Sequence, residues 1–288
     1  MSTDPSPSHT FAATRLGRTA AGALLCLATA GPAHALDPNT TDVRAINDAV
    51  DGRPEGDNSR TKVTLTLIDS SGRKRVRKTR QMSKEFAGGT RSLMFFESPG
   101  DVRNTGLLSI DYDDGKKDDD QWLYLPSLHK STRISTADKS GSFMGTDITY
   151  ADMTKRDSKL YDSKIVKQSV KIDGEDCWVI EARPKTDRER KETGYLKTHT
   201  WISKAKLLPV QVKAWVIEGK KLKYIQFSGM RQHDTKAGKV WAFGKMEVRT
   251  VRNKKVESRT IMEMSAVTFD DATVTEDQFT ERRLEQGL

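Results

Sequence analysis

The stretch LYDSKIVKQSVKIDGEDCWVIEARP (160–184) decides the fold. It holds two strand-like runs, 160–172 and 175–184, joined by Asp173-Gly174. An Asp-Gly pair between two such runs is the sequence signature of a two-residue β-hairpin, because both turn positions need positive φ. Downstream, YLKTHTWIS (195–203) and PVQVKAWVIE (209–218) continue the pattern, and the latter pairs with KLKYIQFSGM (221–230) across Gly219-Lys220. KVWAFGKMEVRTVR (239–252) and VESRTIMEMSAVTF (256–269) form a last hairpin across Asn253-Lys254.

Upstream, TKVTLTLI (61–68) places Val63, Leu65 and Leu67 on one face and Lys62, Thr64 and Thr66 on the other, as in a half-buried strand. RKRVRKTRQMS (73–83), SLMFFE (92–97), GLLSIDY (106–112), QWLYLP (121–126) and KSTRIS (130–135) follow. Connections this short demand antiparallel neighbours, since a parallel crossover needs about a dozen residues or more. The expectation is one mainly β domain, a single strongly curved antiparallel sheet of about eleven strands. A short helix stands at each end, over Asp42–Val50 and 276–286. Neither a linker nor a repeat divides residues 36–288.

Residues 1–35 read differently. Arg15 and Arg18 precede the apolar run TAAGALLCLATA (19–30), and Ala33-His34-Ala35 is a small-x-small triplet. That order predicts a secretory signal peptide cleaved after Ala35, with ordinary Sec export; the run is too short to span a bilayer. Export gives a new meaning to the excess of 49 Lys+Arg over 40 Asp+Glu. In an envelope compartment such basicity points to anionic lipids or acidic protein surfaces, and nucleic acid is not an expected partner. Cleavage removes Cys26 and leaves Cys177 as the lone cysteine, so no internal disulfide is available; its place in CWVIEA reads as a small buried hydrophobe.

Motifs for catalysis are missing. His129, His199 and His233 are scattered, with no HExxH spacing, and neither a GxSxG elbow, a phosphate-binding loop nor GxGxxG occurs. No enzyme, metal or cofactor is expected. The acidic run DYDDGKKDDD (111–120) fails as a calcium loop, because Gly115 at position six would put Ile110 where an aspartate ligand belongs, so it reads as a solvated hairpin tip.

Two features stay open on the residues alone. Arg73, Arg75 and Arg77 belong to a run of six cations without an acid (73–80). It is either an edge protected by charge or a surface that docks on an anionic membrane or partner. The tryptophans at 122, 178, 201, 215 and 241, with Met94-Phe95-Phe96 and Phe143-Met144, are either core or the lining of an apolar hollow.

Three runs, PGDVRNTGLLSIDYDD (99–114), QWLYLPSLHKSTRIS (121–135) and GSFMGTDITYADM (141–153), carry a family resemblance. With IEARPK (180–185) and the terminal helix, they resemble the LolA-like outer-membrane lipoprotein-sorting proteins of Gram-negative bacteria. They are most similar to a branch found beside RND-type export permeases. The resemblance implies a half-open antiparallel β-barrel with lid helices, at work in the periplasm as a monomer. It implies a carrier that shields lipid or lipoprotein acyl chains for transfer toward the outer membrane. The alternative is a non-enzymatic accessory or sensor subunit of an inner-membrane RND-type transporter. On this basis the acyl chain is expected to meet Leu65, Leu67, Phe95, Trp122 and Tyr124. Phe143, Met144, Trp201 and Trp215 complete that set, and GSFMGTD is either a movable flap or a glycine-bounded loop that plugs its apolar pair into the core. Arg73, Arg75 and Arg77 are expected to dock on a membrane or partner.

Overall fold

The Asp173-Gly174 hairpin forms as the sequence demands: Asp173 has φ +49° and Gly174 +85°, and Ile172 pairs with Glu175. It joins β7 (Tyr161–Ile172) to β8 (Glu175–Pro184) at one edge of the sheet. The structure is a computed structural model that describes residues 36–115 and 117–288; the expected signal peptide lies outside the described residues.

After α1 (Val43–Asp51), capped by the Asp42 carboxylate, six strands run in order. They are β1 (Asn58–Asp69), β2 (Lys74–Phe86), β3 (Gly89–Ser98), β4 (Gly106–Tyr112), β5 (Asp120–Leu125) and β6 (Lys130–Arg133). Beyond β8 come α2 (Asp187–Thr193), β9 (Tyr195–Ser203), β10 (Pro209–Val216) and β11 (Lys221–Ser228). Then follow β12 (Arg231–Thr235), β13 (Gly238–Ala242), β14 (Lys245–Arg252), β15 (Lys255–Phe269) and α3 (Glu281–Gln286). Thirteen strands make one antiparallel sheet in the order β6-β5-β4-β3-β2-β1-β15-β14-β11-β10-β9-β8-β7, and β12-β13 form a separate hairpin. The edges β6 and β7 do not pair with each other, so the barrel is half-open.

Fifteen strands among the described residues exceed the expected eleven or so. The run 239–252 is in fact two strands, because Gly244 leaves the ladder to donate to the carbonyls of Ser228 and Gly229 at 3.1 Å. A Cβ on Gly244 would stand 3.0 Å from the Gly229 oxygen, so this crossing favours glycine. The strand β12 and the helix α2 had no expectation, and β13, the first part of the run 239–252, pairs with β12. The terminal helix is shorter than expected, a 3-10 turn at Glu276–Gln278 and then α3.

Register assigns the two faces. Residues of β3 and β4 and residues of β8 to β11 line one cavity although these strands are far apart in the sheet, so their shared face is the concave one. Over β1–β4 and β14–β15 this face carries Val63, Leu65, Leu67, Met94, Phe96, Leu107, Val248 and Met262, all buried. Near β7–β9 it carries Trp178, Ile180 and Ile202, packed on Ile46 of α1. On the convex face, Leu93, Phe95 and Leu108 lie buried under Phe279 and Leu284 of the C-terminal segment. The two large clusters are therefore opposite sides of the same strands, which is why Phe95 and Phe96 are both 1% exposed.

Candidate functional site

The segment between β6 and β7 determines how much of the concave face stays open. Within it, residues 139–153 fold onto β1, β14 and β15. Phe143 is 1% exposed, with ring centroids 5.9 Å from Phe96 and 5.5 Å from Tyr150. Met144 adopts φ +49°, and its carbonyl accepts from the Arg77 guanidinium at 2.5 Å. Asp147 is buried and accepts from the hydroxyls of Thr250, Ser258 and Thr260, the last at 2.7 Å, while its own N–H donates to Thr260 Oγ1 at 2.9 Å. Gln121 Nε2 donates to the Tyr150 carbonyl at 2.9 Å. This segment is a plug tied at several points to the sheet, and it fills the apolar half of the concave face.

The other half remains open. A cavity of about 770 Å³ lies between β8–β11, α1, α2, the segment 154–161 that follows the plug and the β4–β5 turn. Its floor includes Ala182, Val212, Ala214, Ile225 and Phe227. Register explains the room: Ala182, Thr198 and Ala214 sit side by side on β8, β9 and β10, so a row of small side chains crosses the sheet where larger ones would fill the space.

Charged groups ring the cavity, most of them satisfied. Tyr195 Oη donates to the Asp152 carboxylate at 2.9 Å and accepts from the buried ammonium of Lys223 at 3.2 Å; burial and the adjacent Asp152 push its phenol well above the ordinary tyrosine range. Lys139, 2% exposed, pairs with Glu192 of α2 and donates to the Asp119 carbonyl at 2.8 Å. The Arg156 guanidinium stacks 3.6 Å above the Tyr161 ring and donates to Thr198 Oγ1 at 3.0 Å. It is enclosed by the cavity walls yet open to the water within them, and this enclosure lowers its pKa.

The tip of the acidic run is exposed at Asp113, Asp114, Gly115 and Lys117, as its sequence suggests, but its flanks turn inward. Asp111 faces the cavity and accepts from the Lys155 N–H at 2.7 Å, and burial pushes its carboxyl up to about 7. Burial likewise raises Asp119, which accepts from the Tyr112 N–H at 3.0 Å. The Lys155 N–H thus ties the end of β4 to the chain leaving the plug.

None of the nine residues expected to meet an acyl chain lines this cavity. Leu65, Leu67, Phe143 and Met144 are together, but in the plugged half, satisfied by one another. Phe95, Trp122 and Tyr124 lie on the convex face beneath α3. Trp201 and Trp215 also face outward, beside His199. Of the expected docking residues, Arg73 and Arg75 are exposed, Arg73 paired with Asp69 at 2.8 Å. Arg77 is turned inward, 8% exposed, onto the plug. The small side chains Ala182 and Ala214, within runs of larger strand formers, were the one sequence signal that could have pointed to the cavity.

The hollow has a greasy floor and a polar rim, and its lining contains no histidine or cysteine. Cys177 is buried, and burial pushes its thiol up to about 11, far from a reactive thiolate. Among the described residues no group of three or more His, Cys, Asp or Glu could hold a metal ion, and no helix is long and apolar enough to cross a membrane.

A family model described as an uncharacterized protein matches residues 88–286. The chain belongs to that family. Its fold is shared by a crystal structure of a domain assigned to outer-membrane lipoprotein sorting from Vibrio parahaemolyticus, at 28% identity and TM-score 0.73, over 83% of this chain and 97% of that one. A DUF1329 family protein from Desulfovibrio piger matches at 27% identity and TM-score 0.73, over 85% and 100% of the two chains. A LolA superfamily protein from Nitrosomonas europaea shares the fold at 16% identity and TM-score 0.60, over 84% and 98%. Curated proteins yield no sequence match. The half-open barrel expected from the sequence is present, with the plug and α1 over its concave face.

Proposed function

We propose that this LolA-like chain is a periplasmic, non-enzymatic carrier that shields an acyl chain of a lipid or lipoprotein from water on its way toward the outer membrane. The observation that carries the reading is a cavity of about 770 Å³ over β8–β11, floored by half-buried Val212, Ile225 and Phe227 and by the small, buried Ala182 and Ala214. That volume lies in the range of ligand pockets, roughly 300–1,000 Å³. Burying a chain there gains about 0.8 kcal/mol per CH₂, so a tail of about sixteen carbons gives on the order of 10 kcal/mol before ordering costs. The charged rim suits the polar end of an amphiphile, which stays in water while the tail enters.

In this scheme residues 1–35 direct export and are cleaved after Ala35, and the carrier works as a monomer between an inner-membrane transporter of the RND type and the outer membrane. The plug leaves room for one tail and covers the rest of the face with the protein's own side chains. Mass spectrometry of protein purified from its native envelope tests the reading: bound acyl lipid is expected, and protein that arrives lipid-free and takes up no fatty acid contradicts it.

A further inference from the structure

The faces of β8–β11 that turn away from the cavity carry a second feature, built around the two tryptophans that the cavity does not use. By register, His199 lies between Glu181 and Lys213, and Trp215 lies between Lys197 and Leu222. The Trp215 ring has the ammonium of Lys197 at 4.6 Å and that of Lys213 at 4.7 Å, with the His199 imidazole edge-on at 4.7 Å. The Trp201 ring stands 6.3 Å from His199. Together with Val166, Lys167 and Val179 these side chains bound a shallow groove of about 350 Å³ on the outer face. Val166 and Lys167 are exposed, and both tryptophans are only half-buried.

The charge here is lopsided. Glu181 is the groove's carboxylate, and it is already engaged by Lys197 at 2.7 Å, His199 at 2.9 Å, Arg183 at 3.1 Å and Lys164 at 3.6 Å. Among the described residues, Lys167 and Lys213 have no carboxylate within ion-pair distance. The cations are also spread over four neighbouring strands instead of converging on one point. That spacing fits a plane of phosphates better than a single acidic side chain. Tryptophan beside lysine is the pairing that suits a bilayer interface, where the indole sits at headgroup depth and the ammonium meets anionic lipid.

We propose that this outer face of β7–β10 docks the protein on an anionic lipid bilayer, with Lys167 and Lys213 on lipid phosphates and the Trp201 and Trp215 rings at headgroup depth. The site lies on the opposite side of the sheet from the cavity, so it stands whatever the cavity holds. It also replaces the Arg73–Arg77 run as the docking surface, since Arg77 is committed to the plug and Arg73 to Asp69.

Co-sedimentation of the full chain, processed as in the cell, with vesicles of phosphatidylglycerol and phosphatidylcholine in equal parts tests this, with pure phosphatidylcholine vesicles as the comparison. Binding to the anionic vesicles alone, falling with added salt, is expected. Each cation near the surface is worth about fivefold, so Lys167→Glu with Lys213→Glu should weaken binding at least about twentyfold with the circular dichroism unchanged. If that pair does not fold, Lys213→Gln alone should cost about fivefold. No binding to anionic vesicles at low salt overturns the proposal. So does binding that survives the lysine changes but is abolished by Arg73→Glu with Arg75→Glu. An acidic protein captured through the lysines by a chain that ignores vesicles overturns it as well.

Discussion

The guanidinium of Arg77 donates to the main-chain carbonyl of Met144 at 2.5 Å, across 67 residues of sequence, and its charge lies 5.7 Å from the centre of the Phe96 ring. One strand residue thus clamps the plug by its backbone and covers the aromatic pair beneath it. A hydrogen bond from a charged donor contributes about 1.5–3 kcal/mol. Arg77→Met, which keeps the apolar stem, should lower stability by about 2 kcal/mol and speed amide exchange across residues 142–149 relative to β8 and β9. Unchanged exchange in the plug would show that Arg77 is not the clamp.

Asp147 fixes the same plug from the other end. Its carboxylate accepts from the hydroxyls of Thr250, Ser258 and Thr260 on β14 and β15. Removing it orphans buried hydroxyls, so Asp147→Ala should cost about 3 kcal/mol, a fall in Tm on the order of 10 °C. Asp147→Asn keeps an acceptor and should cost less. Equal effects of the two, by calorimetry, would contradict this arrangement.

Asp111 gives a pH signature. Burial raises its carboxyl to about 7 from the ordinary value of 3.8, so between those values the folded chain holds a proton that the unfolded chain has lost. Stability from this group is therefore present below about pH 4 and lost as pH rises through about 7. Urea unfolding should show the protein less stable at pH 8 than at pH 5.5, and Asp111→Asn should flatten that difference and raise stability at pH 8. A wild-type difference of opposite sign that the Asp111→Asn change leaves in place would refute it.

The C-terminal segment covers the convex face of β3 and β4. Leu284 is fully buried, and a Cβ placed on Gly106 of β4 would stand 2.6 Å from its Cδ1, so helix and sheet meet with no space to spare. Leu284→Ala should cost about 3 kcal/mol by denaturant unfolding, while Leu288→Ala, at an exposed position, should cost almost nothing.

Alternation along strands made the sheet legible. Leu65 and Leu67 fall on one face and Thr64 and Thr66 on the other, and Asp173-Gly174 turns where its chemistry requires. Alternation does not say which face is concave. Phe95 and Phe96 are equally apolar, and only the sheet's curvature and the reach of α3 send one under Leu284 and the other under Phe143. Trp201 and Trp215 read as lining because tryptophan in a strand usually seeks cover; here they share a face with Lys197 and Lys213. The plug was visible in GSFMGTD as a glycine-bounded apolar pair. Its anchoring was not, because Arg77, Thr250 and Thr260 lie far from it in sequence. The cavity was the least legible part, since it is made by small residues in register, Ala182, Thr198 and Ala214, and register is a property of the folded sheet.

Occupation of the open half of the concave face is measured most directly by titrating delipidated protein with a fluorescent fatty acid. Wild type should bind one probe per chain, Val212→Trp on the cavity floor should lose at least about tenfold in affinity, and Trp201→Leu on the outer face should bind like wild type. Folded wild-type protein that binds no probe, or binding that Val212→Trp leaves intact, would contradict the carrier account.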